Sequence, residues 1–299
     1  YSLTDRARIV GGLRFTDETK DADVIVHGQQ EPDLAFANVV ETVETDFASG
    51  SATLEFDVTD NLLLFGGYSR GSKAPGLVDG ANVQTNALFQ AQPSLFIAQE
   101  DINTYETGFK WEQSNGFINA TAFYLDVTDF QNAALTNGEI VISSFDVEIL
   151  GAEIDTFHNL NHEWSLATAW GFLDGENADT GGNITSAPSF TSSATLTYET
   201  DTLIEGYLSR GSINLNHKSS HYLNAVSNPA NKVDSVTTLN ANIGLTHQAS
   251  GIDVSLVGKN ITNEIYQDFA FGGQAFLGTE HMYGVAAPRT VALEVGFDF

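Results

Sequence analysis

The run Pro288-Arg-Thr-Val-Ala-Leu-Glu-Val-Gly-Phe-Asp-Phe299 decides how the rest of the chain is read. At period two, Val291, Leu293, Val295, Phe297 and Phe299 fall on one face, and Ala292, Glu294, Gly296 and Asp298 on the other. Side chains alternate across a strand, so this is a strand with one apolar and one polar side. In a soluble sandwich the apolar side turns to a core. In a membrane barrel it turns to lipid, and the polar side lines the lumen.

Composition narrows the choice. The 299 residues carry 12 Lys plus Arg against 39 Asp plus Glu, a net charge of -27, which excludes nucleic acid as a partner. There is no cysteine, hence no disulfide framework and no thiolate metal site. No apolar run reaches the roughly eighteen residues of a membrane-spanning helix. Mean hydropathy is -0.10, a value a barrel shares with soluble proteins because half-apolar strands average out. The chain opens Tyr1-Ser2-Leu3-Thr4-Asp5, with neither an initiator Met nor a signal peptide, and is expected to be a portion of something longer.

Working back from the terminus, the same alternation recurs. Strands are predicted at Leu3–Phe15, Val43–Thr59, Leu62–Arg70, Asp101–Gln113, Phe117–Phe130 and Glu139–Leu160. Further strands follow at Trp164–Leu173, Pro188–Glu199, Leu203–Tyr222, Val236–His247 and Ile252–Tyr266, about twelve with the terminal one. In Leu203–Tyr222, Arg210, Ser212, Asn214, Asn216 and Lys218 oppose Gly211, Ile213 and Leu215. In Val236–His247, Thr238, Asn240, Asn242 and Gly244 oppose Leu239, Ala241, Ile243 and Leu245. The connections at Asp60, Asn115, Asn161, Asp201 and Ser250 are short, and most of the others are long. Tight turns at one end and long loops at the other are the habit of bacterial barrels. The expected class is therefore an all-β, antiparallel transmembrane β-barrel.

Several segments, in order, resemble the carboxy-terminal part of a TonB-dependent outer-membrane receptor. They are Gly11-Gly12-Leu13-Arg14-Phe15-Thr16, Tyr68-Ser69-Arg70-Gly71 with Pro75-Gly76, Tyr105-Glu106-Thr107-Gly108-Phe109-Lys110 and Ala122-Phe123-Tyr124. Gly151-Ala152-Glu153, Gly258-Lys259-Asn260-Ile261-Thr262-Asn263-Glu264-Ile265-Tyr266, and Pro288-Arg289-Thr290 leading to Phe299 complete the set. The resemblance implies a plugged barrel of about 22 strands, of which this chain supplies about twelve, with plug, TonB box and early strands absent. It implies energised uptake of a scarce solute, most simply a ferric siderophore, and no enzymatic activity. The implied partners are the TonB complex, acting through the missing amino-terminal part, the barrel-assembly machinery, outer-membrane lipid and lipopolysaccharide, and a ferric chelate.

Ligand candidates are aromatic and His residues in long connections, where no core claims them: Phe89, Phe96, Phe269, Phe271, Phe276, His281 and Tyr283. Tyr68, Tyr124, Tyr198 and Tyr266 fall near strand ends and are expected in the interface girdle. Val291, Leu293, Val295, Phe297 and Phe299 form the terminal strand that barrel assembly requires. No metal site or cofactor is expected. His217 and His221 lack a third ligand, and Asp174–Asp179 lacks calcium-loop spacing. The acid surplus points to a neutral or cationic ligand rather than a polyanion. Two alternatives stand beside this reading. One is a complete twelve-stranded outer-membrane barrel, either an autotransporter translocator or a phospholipase-type enzyme using Ser219, His221 and Asn224. The other is a soluble β-sandwich.

Overall fold

The computed structural model describes residues 1–26, 37–77, 96–136, 139–223, 231–272 and 281–297. In chain order its strands begin with β1 (Ala7–Val26), β2 (Ala37–Thr59), β3 (Leu62–Lys73), β4 (Glu100–Gln113), β5 (Gly116–Thr136) and β6 (Glu139–Asn159). Next come β7 (Trp164–Asn177), β8 (Gly182–Asn183), β9 (Phe190–Thr200), β10 (Tyr207–Lys218), β11 (His221–Tyr222) and β12 (Lys232–Val233). The last are β13 (Val236–His247), β14 (Ile252–Lys259), β15 (Gln267–Gly272), β16 (His281–Val285) and β17 (Thr290–Phe297). One antiparallel sheet runs β1-β2-β3-β4-β5-β6-β7-β9-β10-β13-β14-β17, with β8 added at β7. The β11–β12 and β15–β16 pairs are separate hairpins. Among the described residues the sheet stays open, with β1 and β17 at its edges.

Register propagates the pattern of the terminal strand through the whole sheet. Val295 and Leu293 lie opposite Val254 and Leu256, which lie opposite Leu245 and Ile243. Ile213 and Leu215 face Ala241 and Leu239 on one side, Leu196 and Ala194 on the other. The row continues through Leu166, Thr168 and Trp170 to Thr156 and Ile154, then Ile118 and Ala120. It ends through Trp111 and Phe109, Leu62 and Leu64, Phe56 and Leu54 at Ala7 and Ile9. One face is therefore apolar across twelve strands, and a one-residue slip anywhere would invert it.

That face covers no core. Ile243 is 65% exposed and Leu293 69%, values a sandwich interior would not allow. Its extent fits a bilayer. On β7 it runs over the nine residues from Trp164 to Phe172, and a tilted strand crosses a bilayer in about 9–11 residues.

Several boundaries differ from the pattern-based expectation, each for a physical reason. The segment from Thr16 to Thr42 is expected as a polar connection, yet β1 continues to Val26 and β2 begins at Ala37. Beyond the apolar band both faces meet water, so Asp17, Glu18, Lys20 and Asp21 carry no alternation to read. β7 extends to Asn177 for the same reason. The strand expected over Ile252–Tyr266 stops at Lys259, because Asn260 (φ 48°) and Asn263 (φ 59°) adopt left-handed backbone that a strand cannot carry. The loop expected over Gly272–Ala287 contains β16, which pairs with β15. β10 ends at Lys218, so His217 and His221 do not share a continuous strand.

Candidate functional site

The face opposite the apolar one is largely polar, with Phe65, Phe117, Phe123 and Phe157 set among its polar side chains, and it divides into two walls. Over β1 and β2 it is charged: Arg8 pairs with Asp57 at 2.7 Å and with Glu55. On β5 and β6, Asn119 Nδ2 donates to Asp155 at 3.0 Å. Glu106, Lys110 and Glu153 lie on the same face by alternation. Over β9, β10 and β13 the wall is neutral. Asn214 Nδ2 donates to Ser193 Oγ at 3.1 Å and to Thr195 Oγ1 at 2.9 Å, while its Oδ1 accepts from Asn240 Nδ2 at 3.0 Å and from Asn216. Asn242 Nδ2 donates to Ser212 Oγ at 2.7 Å. Near the short-turn end Arg210 pairs with Asp253, which also accepts from Thr246 at 2.8 Å and Ser255 at 2.9 Å. Amides and hydroxyls that satisfy one another make a surface that water and polar solutes wet readily.

Two elements at the long-connection end hold ligand candidates. The β15–β16 hairpin gathers four of them: Phe271 stands opposite Met282, Ala270 opposite Tyr283, and Gly272 opposite His281, with Phe269 half exposed on β15. The backbone of Phe271 and His281 is described but their side chains are not. This hairpin contacts β5. Phe96 is elsewhere, buried at the neck of the β3–β4 connection, where it bridges to Leu77. Gln131 Nε2 pins that neck by donating to the carbonyls of Ala74 at 3.1 Å and Ala98 at 2.8 Å, and Lys20 Nζ donates to the Pro75 carbonyl at 2.8 Å. The buried Glu100 accepts from Gln131 N–H at 2.8 Å. Phe89 and Phe276 lie outside the described residues, as do Asn224 and Phe299.

Aromatic residues mark both margins of the apolar face. Tyr68, Tyr105 and Tyr124 stand in one row on β3, β4 and β5, with ring centroids 5.1 and 6.4 Å apart. Phe172 packs 5.0 Å from Phe190 at the same margin. At the short-turn margin Trp164 lies 4.7 Å from Tyr198, and Tyr207 lies 4.9 Å from His247. Tyr266 departs from expectation: it follows the end of β14 and lies off the main sheet. Sequence reading missed Tyr105, whose signal was its register opposite Tyr68.

Acidic residues gather on the apolar-side face beyond the Tyr68–Tyr124 row, towards the long connections. Asp17 stands opposite Asp46, Asp126 opposite Glu148, and Glu148 opposite Glu176. Arg70 pairs with Asp101 at 3.1 Å on this side. Part of the acid surplus thus faces away from the polar wall. Like charges directly opposite one another destabilise by up to about 1 kcal/mol. Glu148→Gln relieves two such oppositions and is expected to stabilise the protein in low-salt detergent by roughly 0.5–1 kcal/mol. Chemical denaturation reads the gain, which should shrink as salt is added. A loss of stability would mean that the hydrogen bond between Tyr124 and the Glu148 carboxylate outweighs the two repulsions.

Among the described residues, Ser219 and His221 do not form a nucleophile–base pair. Ser219 Oγ takes the Phe190 N–H at 3.0 Å and lies 3.2 Å from Ser189 Oγ, while His221 Nδ1 is 3.0 Å from the Ser219 carbonyl oxygen. The His ring thus faces a backbone carbonyl rather than the hydroxyl it would have to activate. Asp179 of the Asp174–Asp179 segment accepts from the Asp146 N–H at 3.3 Å. Among the described residues no three His, Cys, Asp or Glu side chains converge as metal ligands.

The polar-lined, apolar-backed sheet has known relatives. In structure the chain is similar to the ferric yersiniabactin uptake receptor FyuA from Yersinia pestis, with a TM-score of 0.82 at 18% identity over 99% of this chain and 44% of that one. It is similar to the copper transporter OprC (TM-score 0.79, 18% identity, 99% and 46% covered). The siderophore receptor PiuA from Acinetobacter baumannii is a third (0.71, 16%, 99% and 41%). The chain spans less than half the length of each. No curated protein matches it in sequence. The family model for the TonB dependent receptor-like β-barrel matches residues 1–261, through every strand up to the end of β14. The chain is part of an antiparallel transmembrane β-barrel and belongs to the TonB-dependent receptor family.

Proposed function

We propose that residues 1–299 are the carboxy-terminal part of a single barrel domain in an outer-membrane receptor whose full-length form takes up a scarce solute, most simply a ferric siderophore, with energy delivered by TonB. The observation that carries this reading is the family match over residues 1–261. FyuA is a ferric yersiniabactin uptake receptor and PiuA a siderophore receptor. In this reading the long connections face outward, the β15–β16 aromatics and Phe96 border the mouth, and the neutral wall lines the lumen. TonB acts through a segment outside this chain. The tyrosine and tryptophan margins sit at the two lipid interfaces. The acidic band meets the headgroup zone, where lipopolysaccharide and its divalent counterions lie. The terminal strand is the part the barrel-assembly machinery handles.

Deleting the full-length gene and restoring it, with and without TonB, tests the proposal. Uptake of radio-iron from a panel of ferric chelates is expected to fall at least tenfold for one chelate when either protein is missing. Because OprC is a copper transporter, cellular copper is measured in the same strains. A copper change with no iron change would replace the siderophore reading with a copper one. No TonB-dependent change in either metal would remove both.

A further inference from the structure

Asn260 sits where three elements meet. It directly follows β14, is 6% exposed, and takes left-handed backbone with φ 48°. Its N–H donates to Asn240 Oδ1 on β13 at 2.9 Å. Its side-chain Nδ2 donates to the Glu264 carbonyl at 2.9 Å and to the Ala287 carbonyl at 3.2 Å, and its Oδ1 accepts the Glu264 N–H at 2.9 Å. Asn263, at φ 59°, adds a second tie: its Oδ1 accepts the Arg289 N–H at 3.1 Å, and Arg289 Nη1 donates to the Ile261 carbonyl at 3.3 Å. Asn is among the few residues that tolerate left-handed backbone. Only an amide offers two donors and an acceptor in one short side chain.

These bonds reach both ends of the connection between β14 and β17. Ala287 and Arg289 immediately precede β17. Glu264 leads into β15, and the base of the β15–β16 hairpin is closed by the Ala286 N–H donating to the Tyr266 carbonyl at 2.9 Å. β17 pairs with β14 over Ile252–Lys259 and Thr290–Phe297, and a one-residue slip would move Leu293 and Val295 to the polar face. The hairpin belongs to a separate two-stranded sheet, so its own hydrogen bonds do not fix its place over the barrel.

We propose that Asn260 is a positioning residue that sets, from one buried amide, both the register of β17 on β14 and the placement of the aromatic β15–β16 hairpin. Any consequence for ligand capture rests on the receptor reading above, whereas the positioning itself does not.

The test uses the full-length protein in outer-membrane vesicles, in a background free of cysteine. Val254 and Val295 are directly opposed, and opposed strand positions lie within disulfide reach. The V254C/V295C pair should cross-link nearly completely, and S255C/V295C, which reports a one-residue slip, should not. Ala270 on β15 is 4% exposed, so A270C should react slowly with a thiol reagent. Asn260→Asp keeps the acceptor and the tolerance for left-handed backbone but loses both side-chain donors. It is expected to cut V254C/V295C cross-linking at least threefold and to speed A270C labelling at least tenfold. Asn260→Ala should do more, and Thr262→Ala in the same turn should change neither readout. Parent-like cross-linking and labelling in Asn260→Asp overturn the proposal, even if Asn260→Ala fails to insert. Altered labelling with intact iron uptake would count against the ligand role of the hairpin and leave the positioning role standing.

Discussion

Arginine in place of Ile243 is expected to destabilise the barrel by about 2–4 kcal/mol, the cost of a charged side chain near the middle of the lipid face. Ile243 is 65% exposed on β13, with Leu256 and Gly211 opposite it on the neighbouring strands. Its chain neighbour Asn242 points to the other face and donates one hydrogen bond to Ser212. Asn242→Arg forfeits that neutral bond, worth about 1 kcal/mol, and places its guanidinium in water. The two variants differ by one position and should differ by about 2 kcal/mol or more in reversible unfolding from bilayers. In a soluble sandwich the order of effects would also set Ile243 above Asn242, so the medium decides. In detergent-free buffer the protein should not remain monomeric at all.

The second large effect concerns Gly116, where the β4–β5 turn enters the sheet. A Cβ built there would lie 1.8 Å from the Phe157 carbonyl oxygen and 2.8 Å from His158 Cα, both backbone atoms of β6. Backbone cannot rotate away as a side chain can, so β5 and β6 must part at the start of their longest pairing. Gly116→Ala is expected to cost roughly 3 kcal/mol, at the upper end of overpacking penalties. Gly71 offers the control: no atom lies within 4 Å of its would-be Cβ, and its backbone is not left-handed. Gly71→Ala should be neutral or slightly stabilising, by up to about 1 kcal/mol, through the unfolded state. Equal midpoints for the two variants in guanidinium titrations would show that the β5–β6 contact is looser than described.

The apolar stripe of β17, β13 and β10 was legible in the sequence because a membrane gives each face one fixed environment. Residues such as Leu239, Ala241 and Ile243 therefore have no freedom to vary in kind. Legibility stops at the upper margin of the bilayer. From Asp17 to Asp23 and at Glu41 and Thr42 both faces meet water, so the residues resemble a loop although they form strands. The opposite error at Ile261–Tyr266 has a local cause. Ile261, Ile265 and Tyr266 keep strand-like composition, while the left-handed Asn260 and Asn263 turn the chain out of the sheet. Of the ligand candidates, Phe269, Phe271, His281 and Tyr283 proved to share one hairpin. Phe96 is buried at a different neck, and no periodicity could have separated the two cases. Asn260 carried a clue within the Lys259-Asn260-Ile261-Thr262-Asn263 segment, but its role depends on partners at Asn240 and Ala287 that only the folded chain brings together.

The proposed plugged receptor barrel and a complete small barrel differ in the intact mass of the native protein in outer-membrane extracts. A receptor of which this chain spans about 44%, as it does of FyuA, should have a mass more than twice the 32.2 kDa of these 299 residues. A native outer-membrane species near 32.2 kDa would mean that β1 and β17 close on each other, and the receptor account would be contradicted.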